Sequence, residues 1–204
     1  MVDLLKRANE GDSSSQFQLG KILWEGSEDI KVDKKQALQW LTKAAEAGIP
    51  DYQMYLGCIL CWEEGELRDF NKGLYWVQLA AEQGYIGAQY FLAVEYATGD
   101  NIKRDPMKAI HWYLNAAMQG HREAQYNLGI MYIEGDGVEK NFHEGQKWIV
   151  KSAENGELLA IVLLKNAYRD GLLGFQKDKL KYEYWKAKYD LNKRGAPSDQ
   201  PQDT

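Results

Sequence analysis

Cysteine and histidine are scarce in this chain, at two and three residues among 204. Two cysteines cannot build the disulfide framework of a small secreted scaffold. Long apolar runs are lacking as well. The most apolar stretch, Leu158 to Leu164, is far too short to cross a bilayer. The opening residues, MVDLLKRANEGDSSSQFQLG, carry no apolar core of a secretory signal, so a soluble, cytoplasmic protein without membrane insertion is expected. Nor is basic charge in excess, with 25 Lys and Arg against 30 Asp and Glu and a formal net charge of -5. A phosphate-backbone binder needs a basic stripe, so nucleic acid is not an expected partner. No Gly-rich phosphate loop follows a strand, because no segment reads as a convincing strand.

What the chain has is a period. Trp40, Trp76, Trp112 and Trp148 are evenly spaced, and Ala45, Ala81, Ala117 and Ala153 keep the same interval. Gly48, Gly84, Gly120 and Gly156 repeat with them. A period of about 36 residues marks small units that must stack to bury a common core. The fourth unit is the clearest. Ala124, Leu128 and Tyr132 recur at helical spacing, and Gly135 and Gly137 end that helix in a turn. Asn141 is placed to cap a second helix that carries Trp148 and Ala153 inward and stops at Gly156. Leu19, Leu56, Leu92, Leu128 and Leu164 occupy one position of the first helices. The next position reads Gly20, Gly57, Ala93 and Gly129 before breaking to Lys165, and small residues there let helices approach closely. Second-helix caps read Asp33, Asp69, Asp105, Asn141 and Asp178, with Pro106 at a first helical position. Ten helices in five pairs follow over residues 3–193. The units fall at roughly 8–44, 45–80, 81–116, 117–152 and 153–193 by this period, within a solenoid spanning 1–194. The tail 195–204, GAPSDQPQDT, has no large apolar anchor and is expected to be disordered.

The strings AQYNLGIMYIEGDGV (124–138), KAIHWYLNAAMQG (108–120) and QALQWLTKAAEAG (36–48) closely resemble Sel1-like repeats, relatives of tetratricopeptide repeats. The resemblance spans nearly the whole chain. It implies an all-α, right-handed α/α solenoid of about five helix-turn-helix repeats, with first helices lining the concave side. It further implies an adaptor or scaffold with no shared catalytic residue. The fifth unit departs from the pattern at Lys165, in the loop GLLGFQKD and in a second helix dense in lysine and tyrosine, as a terminal cap facing water would, with a charged partner-binding end as the alternative.

Carrying the concave positions of tetratricopeptide repeats onto this chain nominates a protein-binding face. Phe17, Lys21 and Trp24 come from the first unit, and Met54, Cys58, Cys61 and Trp62 from the second. Tyr90 and Val94 come from the third, and Tyr126, Ile130 and Ile133 from the fourth. Phe17, Met54, Tyr90 and Tyr126 recur, which suits a structural part as well. Trp24 and Trp62 break the repeat's own pattern, and tryptophan is enriched where binding energy concentrates. Only Lys21, and Arg169 at a matching position of the fifth repeat, are basic on this face, so recognition of an acidic tail there is not expected. An apolar helix or loop laid in the groove fits better.

Chemistry finds little support. Cys58 and Cys61 form C-x-x-C in mid-helix, without the strand-to-helix setting that activates a redox thiol and without further zinc ligands. His111, His121 and His143 share no motif with a nucleophile and read as surface residues. Glu63, Glu64 and Glu66 read as a solvated turn. The expectation is therefore no enzyme, no cofactor and no metal. A protein partner binds a monomer or weak homodimer, and silencing of a cognate bacterial toxin is one specific form of that role. Two alternatives stand beside it: hydrolysis of cell-wall-related or β-lactam substrates, which the family resemblance raises, and structural self-association.

Overall fold

A computed structural model describes residues 2–195, and the expected disorder of 195–204 falls almost wholly outside them. Eleven α-helices run in chain order through the described residues. They are α1 (Val2–Asn9), α2 (Ser13–Glu25), α3 (Lys34–Glu46), α4 (Pro50–Trp62), α5 (Phe70–Glu82) and α6 (Ile86–Thr98), then α7 (Pro106–Met118), α8 (Arg122–Glu134), α9 (Phe142–Glu154), α10 (Leu158–Asp170) and α11 (Lys179–Gly195). A short 3-10 turn, Gly65–Leu67, interrupts the α4–α5 loop. No β-strand is formed among the described residues. Contacts divide the chain into two compact units, one ending at Lys103 and the other starting at Arg104.

The caps explain the helix starts. The side chains of Asp33, Asp69, Asp105, Asn141 and Asp178 each accept the backbone N–H three residues on. Four of these residues also donate their own N–H to a carbonyl near the end of the preceding helix. The pairs are Asp33 to Leu23 (2.9 Å), Asp69 to Leu60 (3.0 Å), Asn141 to Tyr132 (2.8 Å) and Asp178 to Tyr168 (2.9 Å). One residue therefore closes the loop and satisfies an otherwise unpaired helix amide.

In the first unit α2 packs on α3 and α4 on α5, with Leu19, Leu41, Leu56 and Val77 in the core. A Cβ added at Gly57 would lie 2.7 Å from Val77 and 3.0 Å from the Gly73 carbonyl oxygen. In the second unit a Cβ at Gly129 would lie 2.8 Å from Ile149 and 2.9 Å from the Gly145 carbonyl. The small site thus sets helix spacing, as its sequence position implied. Ile133, Ile149, Ile161, Leu164, Phe175 and Trp185 build the second unit's core.

Three features differ from the sequence expectation. A helix precedes the first pair: α1 lays Leu4 and Ala8 on the core of the first pair, so eleven helices form rather than ten. Its sequence lacks the repeat's Trp, although Ala8 and Gly11 keep the spacing of Ala45 and Gly48. Trp148 is half-buried rather than fully inward, with the Lys151 ammonium 5.2 Å from its ring centre. Trp40, in the same position, is covered by Lys43 at 4.4 Å. A tryptophan on the rim of the core buries its body while its face meets a cation. The third feature is a recurring buried glutamine. Gln16, Gln53, Gln89 and Gln125 donate to the carbonyls of Ala8 (3.1 Å), Ala45 (3.4 Å), Ala81 (3.2 Å) and Ala117 (2.9 Å). Each amide binds the end of the preceding helix, where carbonyls lack helical partners. Ile161 takes this position in α10.

Candidate functional site

The first-helix face of the first unit is a belt of half-buried aromatics. Phe17 on α2 stacks on Tyr52 of α4, with ring centres 4.2 Å apart, and meets Tyr55 edge-on at 5.1 Å. The Lys21 ammonium lies 5.5 Å from the Tyr55 ring centre, and the Tyr55 hydroxyl donates to the Glu25 carboxylate at 3.2 Å. Burial, and then the Glu25 charge, push the Tyr55 phenol up to about 12, so it stays a neutral donor. Met54 and Cys58 are half-buried on the same helix.

Trp62 ends α4 and is the exception, with 62% of its surface exposed. Its ring meets Phe91 of α6 edge-on at 5.9 Å. Helix geometry holds it there. Glu63, the next residue, pairs with Lys34 at 2.7 Å, and the Arg68 guanidinium donates to the Cys61 carbonyl at 3.2 Å. The Glu63 N–H also donates to the Ile59 carbonyl at 2.9 Å, so the backbone on both sides of Trp62 is held while the indole stands in solvent. An exposed, positioned tryptophan is uncommon unless something covers it. Tyr90 and Val94 on α6 are half-buried.

Trp24 behaves differently. It packs against the core formed by Ala8, Leu19, Leu23, Ala37 and Trp40, under the Lys34 ammonium at 4.9 Å. Two nominated residues leave the surface altogether. Cys61 is fully buried and Ile133 is 3% exposed. Both sit where the first helix meets the second within a pair: an added Cβ at Gly73 would touch the Cys61 sulfur, and one at Gly145 would touch Ile133. They are core residues and not part of a binding face. In the second unit Tyr126 and Ile130 are half-buried against the core that contains Ile133 and Leu164.

Tyr52, Tyr55 and Phe91 were not singled out in the sequence, yet they form the belt with Phe17 and Trp62. Their signal was the aromatic enrichment of α4 and α6 beyond the recurring positions.

The thiols are poor nucleophiles. Burial raises Cys58, while burial, the neighbouring Cys58 and Glu95 push Cys61 up to about 12. His121 is no free surface residue either. It is half-buried, and its Nδ1 accepts the Ala124 N–H at 3.3 Å to cap α8. Burial lowers its pKa. The same nitrogen lies 3.3 Å from Glu123, but it cannot accept from Ala124 and donate to Glu123 at once. The capping role and the lowered pKa both favour the neutral ring. His111 and His143 are exposed. Among the described residues no cluster of three or more His, Cys, Asp and Glu is arranged to hold a metal ion, and no helix is long and apolar enough to cross a membrane.

Comparison with known proteins agrees with this architecture. The Sel1 repeat model matches residues 13–49, 50–85, 86–121 and 122–157. These segments coincide with the first four helix pairs, while α10 and α11 lie beyond them. A Sel1 repeat protein from Oxalobacter formigenes is 28% identical over 93% of this chain and 77% of its own, with a TM-score of 0.75. A protective antigen of uropathogenic Escherichia coli strains, displaying an SLR fold, is 32% identical with a TM-score of 0.82. That match covers 93% of this chain and only 40% of the antigen. An immunity protein of Pseudomonas aeruginosa, Pa5087, is 18% identical over 92% of this chain and 71% of its own, with a TM-score of 0.54. At that identity the likeness concerns the fold alone. No curated protein sequence matches the chain significantly.

Proposed function

The chain belongs to the Sel1 repeat family, an all-α solenoid family whose members mediate protein–protein interaction, and from that premise we propose that it docks a protein partner on the first-helix face around Trp62. The observation that carries this reading is the exposed indole held between neighbours whose backbone is hydrogen-bonded. Covering it would remove roughly 150 Å² of mostly apolar surface, worth about 3–4 kcal/mol before ordering costs. The flanking belt of Phe17, Tyr52 and Tyr55 is packed in place before a partner arrives, so little side-chain freedom is lost on binding. The partner's complementary element is an apolar helix or loop.

The role is non-catalytic: raised thiol pKa values and a capping histidine offer no activated nucleophile or base. Within this role, neutralisation of a secreted effector toxin is one specific form, in keeping with two immunity proteins of Pseudomonas aeruginosa, Pa5087 and PA5088, that share the fold. The test is affinity capture with the full chain beside Trp62→Ala. A stoichiometric protein captured by the wild type and lost in the variant supports the reading. Toxin neutralisation additionally requires that co-expression rescues cells from that partner. Capture that is identical in the two proteins would place the site elsewhere.

A further inference from the structure

Within the second unit, the outer side of α9 and the segment from Gly174 to Lys181 enclose an open groove of about 810 Å³. We propose that this groove is a second docking site, independent of the first-helix face, that takes an acidic, extended peptide segment carrying a central apolar side chain.

The volume lies in the range of ligand-sized clefts, about 300–1,000 Å³. Its floor is apolar, made by Val150, Tyr168 and Phe175, and the last two rings meet edge-on at 5.0 Å. Its rim is basic: Lys147, Lys151, Lys177 and Lys181 outnumber the carboxylates of Glu154 and Asp178. In a chain of net charge -5 this is a local inversion of sign. Lys147 and Lys181 lean on carboxylates of their own helical turns, Glu144 at 2.7 Å and Asp178 at 3.8 Å. Such exposed pairs are worth little and exchange readily for a ligand carboxylate. Lys151 and Lys177 make no ion pair among the described residues, and Lys151 lies over the Trp148 ring.

The walls are set before any ligand arrives. The Gln146 amide donates to the Leu173 carbonyl at 3.0 Å, and Asp178 N–H donates to the Tyr168 carbonyl at 2.9 Å. These bonds pin the loop at both ends, so binding need not order it. Apolar floor and basic rim together match an acidic peptide with a buried anchor. Glu154 and Asp178 in the lining work against a continuous phosphate backbone, which would meet both.

Fluorescence anisotropy with the full chain tests the proposal, using a fluorescein-labelled octapeptide of six glutamates around a central Leu-Tyr pair. The peptide is expected to bind saturably in low salt, with affinity falling as salt rises. Lys151→Glu/Lys177→Glu should weaken it about tenfold or more through charge reversal. The control Lys31→Glu/Lys35→Glu, with the same change in net charge on exposed lysines of the first unit, should leave it near wild type. Circular dichroism verifies that both variants fold. Independently of any variant, amide shifts in the wild type should map to 147–151 and 174–181. Equal weakening by both double variants would overturn the proposal. So would absence of saturation, shifts elsewhere, or equal binding of inorganic polyphosphate and of an all-glutamate peptide. Trp62→Ala should not alter peptide binding, which separates this result from the first-helix reading.

Discussion

Replacing Gly129 with alanine sets two known effects against each other. Alanine in a helix interior is favoured over glycine by about 1 kcal/mol. Against that, the new methyl would lie 2.8 Å from two carbons of Ile149 and 2.9 Å from the carbonyl oxygen of Gly145. The isoleucine is fully buried and cannot swing into solvent. The oxygen belongs to the backbone of α9, so relief requires the helices to separate. Overpacking of this kind costs about 1–3 kcal/mol, which exceeds the propensity gain except at its lower limit. A net loss of about 1 kcal/mol is expected. With a urea slope of about 2–3 kcal/mol/M, the midpoint for the second unit should fall by roughly 0.3–0.5 M. The assay is urea unfolding with hydrogen exchange of α8 and α9 amides, which reports that unit alone. An unchanged or raised midpoint would show that propensity wins and that the pair is not closely packed there.

Two further predictions concern chemistry and pH. Alkylation by iodoacetamide at neutral pH should be far slower at Cys58 and Cys61 than at a free thiol, with Cys61 modified only on unfolding; rapid labelling in the native state would contradict the raised pKa values. For His121 the folded-state pKa is lowered, so the unfolded chain takes up the proton first as pH falls. Its contribution to stability is full above about pH 6.5 and declines below that value. Thermal unfolding at pH 7.5 and 5.5 should show the drop, and His121→Asn, which keeps a capping oxygen, should reduce it. An equal drop in the variant would assign the effect to other groups.

The caps were legible because capping is local: an Asp or Asn before a periodic apolar stretch needs no tertiary context, and Asp33, Asp69, Asp105, Asn141 and Asp178 all cap their helices. Leu56, Leu128 and the close-approach glycines were legible because the repeat compares the chain with itself. The buried glutamines recur with the same period, but a polar residue on a core face reads as surface until its carbonyl partner is known. Cys61 and Ile133 misled because each step along a helix turns the side chain by about 100°, which separates an outward position from one facing its own pair mate. Trp62, one residue further, faces solvent. Trp24 breaks the repeat pattern as Trp62 does, yet α1 supplies a core for it to cover, and that helix lacks the repeat's tryptophan, with Ala8 and Gly11 keeping the spacing of the repeat's Ala and Gly. The groove beside α9 depends on how a non-repeating loop folds back, which no periodicity encodes.

The most direct test of the central claim compares partner affinity and melting temperature for Trp62→Ala. The exposed indole predicts a loss of about 2 kcal/mol or more in binding, some thirtyfold in Kd, with a melting temperature within about a degree of wild type. A marked fall in melting temperature with affinity intact would contradict it, because Trp62 would then serve the fold and not a partner.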